Sequence, residues 1–272
     1  MVTLFRNEFV LAFSLSLLVS LIAWRAHSLN GSGALAALGV GFFTFGFGGL
    51  SWAVVLITFF ISSSLMSRVY STRKTGFSEK FSKGSQRDWG QVLANGGLAA
   101  ILPLLHYFLG ESGWIWMAFC GALAAVNADT WATELGVLSR AAPRRISNGV
   151  RVERGTSGGI TWLGYGVALL GAGLVGVVAW MFSLQNHGLT FGLVVILAGV
   201  FGTTVDSWLG DTVQAIYYCP KCEKETERHP HHSCGTSTYQ TRGWVWLNND
   251  WVNFFGSLSG AMLAGLLGLV FY

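Results

Sequence analysis

The sequence predicts an all-α fold, a polytopic transmembrane helical bundle of about eight helices with an internal repeat. Three observations carry that reading. Of the 272 residues, 52% are hydrophobic and 11% charged, against about 25% charged in an average soluble domain. Apolar runs of about 17 to 25 residues, the length of one bilayer crossing, recur along the chain. Glycine is abundant (36) and proline scarce (4), which suits helices packed closely through small residues. Together these features exclude an ordinary soluble enzyme, and residues 1–272 read as a single transmembrane domain. The net charge of +4 comes from basic residues in short loops between apolar runs, so it reports topology before any nucleic-acid partner, and none is expected. Four cysteines argue against a disulfide scaffold.

In chain order the apolar runs are 7–25, 33–48, 50–66, 92–109, 114–138, 162–182, 189–217 and 250–271. At the first, Arg6 and Glu8 precede an apolar stretch that runs to Trp24 with no small-residue cleavage site, so it reads as a retained helix. Residues 33–66 are too long for one crossing at about 1.5 Å per residue. Gly46-Phe47-Gly48-Gly49 supplies the break, because glycines permit a tight reversal. A re-entrant pair there would leave seven crossings. Lys and Arg set the orientation. Segment 68–90 holds six (Arg68, Arg73, Lys74, Lys80, Lys83, Arg87), 140–154 five (Arg140, Arg144, Arg145, Arg151, Arg154) and 219–242 four (Lys221, Lys224, Arg228, Arg242), together 15 of 17. Two spans separate each of these from the next, so loops 68–90, 140–160 and 219–245 share one side, which the rule makes the cytoplasm. The opposite loops, 110–113 and 183–188, carry no Lys or Arg. Eight crossings put both termini outside.

Four carboxylates break the apolar runs, and ionisable groups there mark functional sites by default. Asp129-Thr130-Trp131 is followed by Glu134, and Asp206-Ser207-Trp208 by Asp211, so both frames read D-[ST]-W-x-x-[DE]. Each is followed, after a basic loop, by Gly-Thr-Ser: 155–157 leading to Thr161-Trp162, and 235–237 leading to Thr241 and Trp244. That is a repeat of a functional unit. Both acidic helices run toward the basic face, so the chemistry belongs there. Asn127 and Glu134 share a helix face, while Ser207, Asp211 and Gln214 predict a second polar stripe. Asn249 and Asn253 open the last helix, and Asn95 lies near the start of the fourth. A lone Asn or Thr in a membrane helix more often bonds helix to helix. Four acids in two matching frames argue instead for a site. Carboxylates and amides beside basic loops suit Mg²⁺ and phosphates, since Mg²⁺ takes oxygen ligands and shares phosphate oxygens.

Segment 154–161 (Arg-Gly-Thr-Ser-Gly-Gly-Ile-Thr) enters the sixth helix and has the composition of a phosphate cradle. Gly155, Gly158 and Gly159 let backbone N–H groups approach an anion, and Thr156 and Ser157 donate. It lacks the lysine of a P-loop, and a helix cap is the simpler use of such residues. In the longest basic loop, Lys83 and Arg87 lie nearest Asn95 and are the expected phosphate contacts. Cys219-Pro220-Lys221-Cys222 followed by His229, His231, His232 and Cys234 has zinc-site composition, with Cys219, Cys222, Cys234 and His232 as the expected ligands. Reduced thiols in a cytosolic loop are the alternative. Cys120, inside an apolar helix, reads as packing.

NADTWATELG at 127–136, GTSGGIT at 155–161, DSWLGDTVQA at 206–215 and NNDWVNFFGS at 248–257 closely resemble the integral-membrane family that includes plant phytyl-phosphate kinase of tocopherol and phylloquinone salvage. SSSLMSR at 62–68 and QVLANGG at 91–97 are similar to it too. The resemblance covers most of the chain and rests on several motifs in order. It implies a kinase that converts a membrane-dissolved prenyl monophosphate to the diphosphate with a nucleoside triphosphate. Kinship to polyprenol kinases makes CTP the favoured donor. On that reading Asp129, Glu134, Asp206 and Asp211 hold Mg²⁺, loop 155–159, Lys83 and Arg87 grip phosphates, and Asn127, Asn253 and Gln214 orient oxygens. A polytopic transporter and a lipid-phosphate cytidylyltransferase remain open as alternatives.

Overall fold

The computed structural model describes residues 2–70, 86–110, 112–183 and 188–271. Eight helices run through them: α1 (Val2–Arg25), α2 (Gly31–Gly48), α3 (Leu50–Tyr70), α4 (Trp89–Leu109), α5 (Gly113–Gly136), α6 (Trp162–Met181), α7 (Gly188–Thr212) and α8 (Asn249–Phe271). Local chemistry fixes their starts. Asn30 Oδ1 accepts from Gly33 N at 2.8 Å, Asp88 and Gln91 form a capping box, and Thr161 Oγ1 accepts from Gly164 N at 2.9 Å. The break after α2 falls at Gly49, whose φ of 78° lies where L side chains are strained.

The chain reverses at every step. Ser16 of α1 lies against Gly41 of α2, and Phe9 against Phe47, so these two are antiparallel. α2 and α4 run together, with Val40 on Gly96 and Thr44 Oγ1 donating to Ala99 O at 2.6 Å. α3 and α5 are parallel, through Trp52 on Trp116, Ser62 on Asn127 and Ser67 on Glu134. α7 follows α5, with Phe191 near Trp116 and Thr203 bonded to Asp129. α6 and α8 oppose them, Gly164 meeting Gly136 and Gly268 meeting Trp114. Eight alternating strokes bring the connections after α1, α3, α5 and α7 to one face, as the basic loops require.

Seven helices are long and apolar enough to cross a bilayer, namely all but α5. α5 is as long, but its C-terminal half carries Asn127, Asp129, Thr130, Thr133 and Glu134. It is the axis of the bundle: residues 117–128 are all buried, and α3, α4, α6, α7 and α8 pack around it. Large apolar side chains that remain exposed, such as Leu18, Ile22, Phe108, Leu197 and Val270, form the lipid-facing surface. α7 and α8 approach α5 through glycine. A Cβ on Gly202 would lie 2.7 Å from Gly256 O and closer still to Ala125 Cβ. Gly202→Ala should therefore force the helices apart and destabilise the protein by about 1–3 kcal/mol, read as a lowered thermal midpoint in detergent; an unchanged midpoint would mean that the interface is loose.

The basic-face loops carry small sheets. β1 (Arg144–Arg145) pairs antiparallel with β2 (Gly159–Ile160). β3 (Ile216–Cys219), β4 (Lys224–Thr226) and β5 (Tyr239–Arg242) form a sheet in the order β4-β3-β5. The expected seventh span, 189–217, is thus corrected: the helix ends at Thr212, because Ile216-Tyr217-Tyr218 enters a strand that suits β-branched and aromatic side chains.

Candidate functional site

A cleft of about 600 Å³ opens among the basic-face ends of α3 to α8 and the loops that join them. Asp129 from α5 and Asp206 from α7 meet within it, their carboxyl groups in contact. Thr203 Oγ1 donates to Asp129 Oδ1 at 3.1 Å. Asp206 Oδ2 is buried and has no hydrogen-bond partner among the described residues. Two adjacent carboxyl groups in a low-dielectric setting call for a proton or a cation between them. Asn95 and Asn253 join this pair around a small adjoining void of about 10 Å³.

Toward the basic face, Glu134 Oε1 accepts from Ser67 Oγ at 2.9 Å. Arg87 Nη1 donates to Ser63 Oγ at 3.2 Å, and its guanidinium lies 5.9 Å over the Phe59 ring. Burial pulls the Arg87 pKa below its ordinary value while the charge on Glu134 opposes that shift. The guanidinium stays cationic all the same. Arg154 lines the opposite wall, tied by Nη2 to Ser139 O at 2.7 Å. Glu227, Arg228 and Ser233 of the third loop complete the mouth with Asn249 of α8.

The glycine loop also lines the cleft, and it is seated by packing as well. Gly155 and Gly158 have φ of 78° and 75°. A Cβ on Gly158 would lie 2.6 Å from Asp211 Cα, so the loop rests on the end of α7. The N–H groups of Thr156 and Gly159 bond to Glu153 O and Thr156 O, so these two close the turn on itself. Ser157 Oγ donates to Gln214 Oε1 at 2.6 Å, and Gln214 Nε2 to Glu227 Oε1 at 2.9 Å.

Of the expected site residues, Arg87, Asn95, Asp129, Glu134, Gly155, Thr156, Ser157, Gly158, Gly159, Asp206, Asn249 and Asn253 come together around this cleft. Three do not line it. Asn127 is fully buried, accepting from Ser62 Oγ at 2.8 Å and donating to Gly171 O at 2.8 Å, so it clamps α3, α5 and α6. Asp211 accepts from Arg145 Nη1 and Ser147 N, both at 3.1 Å, and anchors the second loop. Gln214 lies beyond the end of α7 and off the expected stripe, bridging Ser157 to Glu227. Lys83 lies outside the described residues. The second Gly-Thr-Ser, 235–237, is no second cradle: Thr236 instead closes a turn against His232 and Cys234. Sequence reasoning missed Arg154, Glu227 and Arg228 as cleft residues. Arg154 was legible as the neighbour of Gly155; the other two arrive only when the third loop folds back.

In that loop the ligand atoms of Cys219, Cys222, His232 and Cys234 all lie within 4.8 Å of one another. Hydrogen bonding from Thr236 and then His232 holds the Cys234 thiol down at about 5. Bonding to Cys234, then burial, raises Cys222 to about 11. His229 is elsewhere, stacked on Tyr217 with ring centroids 4.4 Å apart.

Residues 14–261 match the family model described as integral membrane protein DUF92. Among similar chains, Protein PGR of Arabidopsis thaliana is 32% identical over 97% of this chain and 98% of its own length. An uncharacterized membrane protein of Methanocaldococcus jannaschii is 30% identical over 71% of this chain and 77% of its own. No solved structure matches.

Proposed function

The chain belongs to the DUF92 family of integral membrane proteins, and from that premise we propose that it is a kinase which phosphorylates a membrane-dissolved prenyl monophosphate to the diphosphate. The donor is a nucleoside triphosphate, with CTP favoured, and the cleft faces the cytoplasm. One observation carries the reading: Asp129 and Asp206 meet, with Asp206 Oδ2 buried and without a hydrogen-bond partner among the described residues, inside a cleft that also holds Arg87 and Arg154. Carboxylates alone would repel phosphates, and arginines alone would bind them without a metal. The two sets together suit a nucleotide that arrives with its cation. The motif resemblance to the phytyl-phosphate kinase family supports the same reaction, and the bias of Lys and Arg toward the cleft face supports the orientation.

The donor set fits Mg²⁺: two carboxylates, with Asn95 and Asn253 beside them, all of them hard oxygen donors. Asp129 and Asp206 would hold it, with Glu134 next along the wall. When bound, the ion neutralises phosphate charge and orients the phosphates for in-line transfer. Arg87, Arg154 and Arg228 bind phosphate oxygens, with the glycine loop as a second wall. Asn249 and Asn253 orient polar atoms at the helix start. The acceptor is already an anionic phosphate. One of its oxygens attacks the γ-phosphorus, the bond to the β–γ bridging oxygen breaks, and a nucleoside diphosphate leaves, so the protein needs no strong general base. Positioning and charge compensation remain as its task.

The test is transfer by the purified protein in detergent with γ-labelled CTP or ATP, Mg²⁺ and a panel of prenyl monophosphates. Label is expected in a prenyl diphosphate. Label entering the lipid from the α-position of CTP, with release of pyrophosphate, would make the protein a cytidylyltransferase. No transfer, with substrate flux in sealed vesicles, would make it a transporter.

A further inference from the structure

The third basic loop gathers three cysteines and a histidine apart from the carboxylate pair. We propose that Cys219, Cys222, His232 and Cys234 hold one structural zinc ion that fixes this loop as a wall of the cleft. Two tight turns supply the ligands in pairs. In the first, β3 and β4 pair with Cys219 opposite Lys224, and Cys222 lies in the turn between them, where Glu223 takes a φ of 52°. In the second, His232 N donates to Thr236 O and Gly235 N to His232 O, both at 2.9 Å, which folds residues 232–236 around Cys234. Thr238 Oγ1 donates to Arg228 O at 3.0 Å, tying the chain after the second turn to the chain after β4.

Two of the six ligand pairs already have the spacing of a coordination shell, and all six lie within 4.8 Å. Cys219 Sγ and Cys234 Sγ are 3.6 Å apart, and His232 Nδ1 and Cys234 Sγ 3.4 Å. Tetrahedral zinc with Zn–S of about 2.3 Å and Zn–N of about 2.0 Å sets its ligand atoms roughly 3.5–3.8 Å apart. A disulfide would need its sulfurs at about 2.0 Å and would leave the third thiol and the imidazole over. Three thiolates and one imidazole are soft to borderline donors, which select zinc over Mg²⁺ or Ca²⁺. Four protein ligands close the shell, as in structural rather than catalytic zinc sites. Cys219 and His232 are buried, Cys222 and Cys234 partly so.

The loop has reason to need such a staple. Its strands are four, three and four residues long, too short to stand on their own core. It is also wired to the cleft: Glu227, Arg228 and Ser233 line the mouth, and Gln214 joins Glu227 to Ser157 of the glycine loop. The metal thus organises one wall of the site without touching what binds there.

The inference stands apart from the phosphoryl-transfer reading, because its test does not use activity. The full chain, purified in detergent without chelator or histidine tag, should contain about one zinc per chain by elemental mass spectrometry. Cys120→Ser should keep it, whereas Cys222→Ser and Cys234→Ser should lose at least tenfold. Should the serine variants fail to fold, the wild-type chain still decides the matter. Exchanged into Co²⁺, it should give the intense visible bands of tetrahedral thiolate cobalt, and chelation should open the loop between Cys219 and Arg242 to protease while the helices stay intact. Three freely titrating loop thiols, counted in the Cys120→Ser chain, with no uptake of added zinc would overturn the proposal. So would iron in place of zinc, or full zinc content in Cys222→Ser/Cys234→Ser.

Discussion

Replacing Asp129 or Asp206 with Asn should lower turnover in the proposed phosphoryl-transfer reaction by roughly 10²- to 10³-fold and leave the protein folded. The two carboxyl groups are in contact, and Asp206 Oδ2 is buried with no hydrogen-bond partner among the described residues. An amide of the same shape removes a charge from a pair that repels itself, so stability should hold or rise while activity falls. The combination distinguishes a metal-binding pair from a structural one, in which both would fall together. Mg²⁺ should raise the thermal midpoint of the wild-type protein and lose that effect in either variant, because a ligand that binds only the folded state stabilises it. Retained turnover in both variants would sink the metal assignment.

The bundle was legible because a membrane imposes a coarse rule: an apolar run of one crossing length becomes a helix. Each of the eight runs holds a helix, although the seventh gives way to a strand after Thr212, and the glycine break at Gly49 fell where the run was too long for one crossing. Basic residues predicted a common face for three loops, and the alternation of the helices agrees. The loops themselves were not legible. Their short strands are held by tertiary contacts, and nothing in the order of residues announces that Arg228 turns toward a cleft it shares with Asp129.

The site was legible to the extent that polar groups in apolar helices must have a reason. That rule found Asp129, Asp206, Asn95 and Asn253 but could not tell a group facing a cleft from one clamped between helices. Asn127 satisfies both its donor and its acceptor on neighbouring helices, on Gly171 O and Ser62. Matching sequence frames also proved broader than matching roles. The first acids of the two frames meet in the cleft, whereas Glu134 lines it and Asp211 does not. The helix ends differ: α5 lines the cleft as far as its last residue, Gly136, whereas the glycine loop lies against the end of α7 and covers Asp211.

Asp211→Ala should accordingly lower stability more than it lowers chemistry. The Asp211 side chain is fully buried and that of Arg145 about a quarter exposed, with 3.1 Å between Nη1 and Oδ1. Removing the carboxylate strands the guanidinium and the Ser147 N–H together. Breaking a buried pair costs about 3–5 kcal/mol, and the partial exposure of Arg145 puts the expected loss near ~3 kcal/mol. Asp211→Asn keeps an acceptor for Ser147 N and should cost less. Unfolding in detergent gives the stability, and transfer at saturating substrate gives the chemistry. Because Gly158 rests on Asp211, the loosened glycine loop should raise the KM for nucleotide more than it lowers kcat. A kcat loss as deep as that of Asp129→Asn, in protein of unchanged stability, would return Asp211 to the metal site and restore the second frame to the role its sequence predicts.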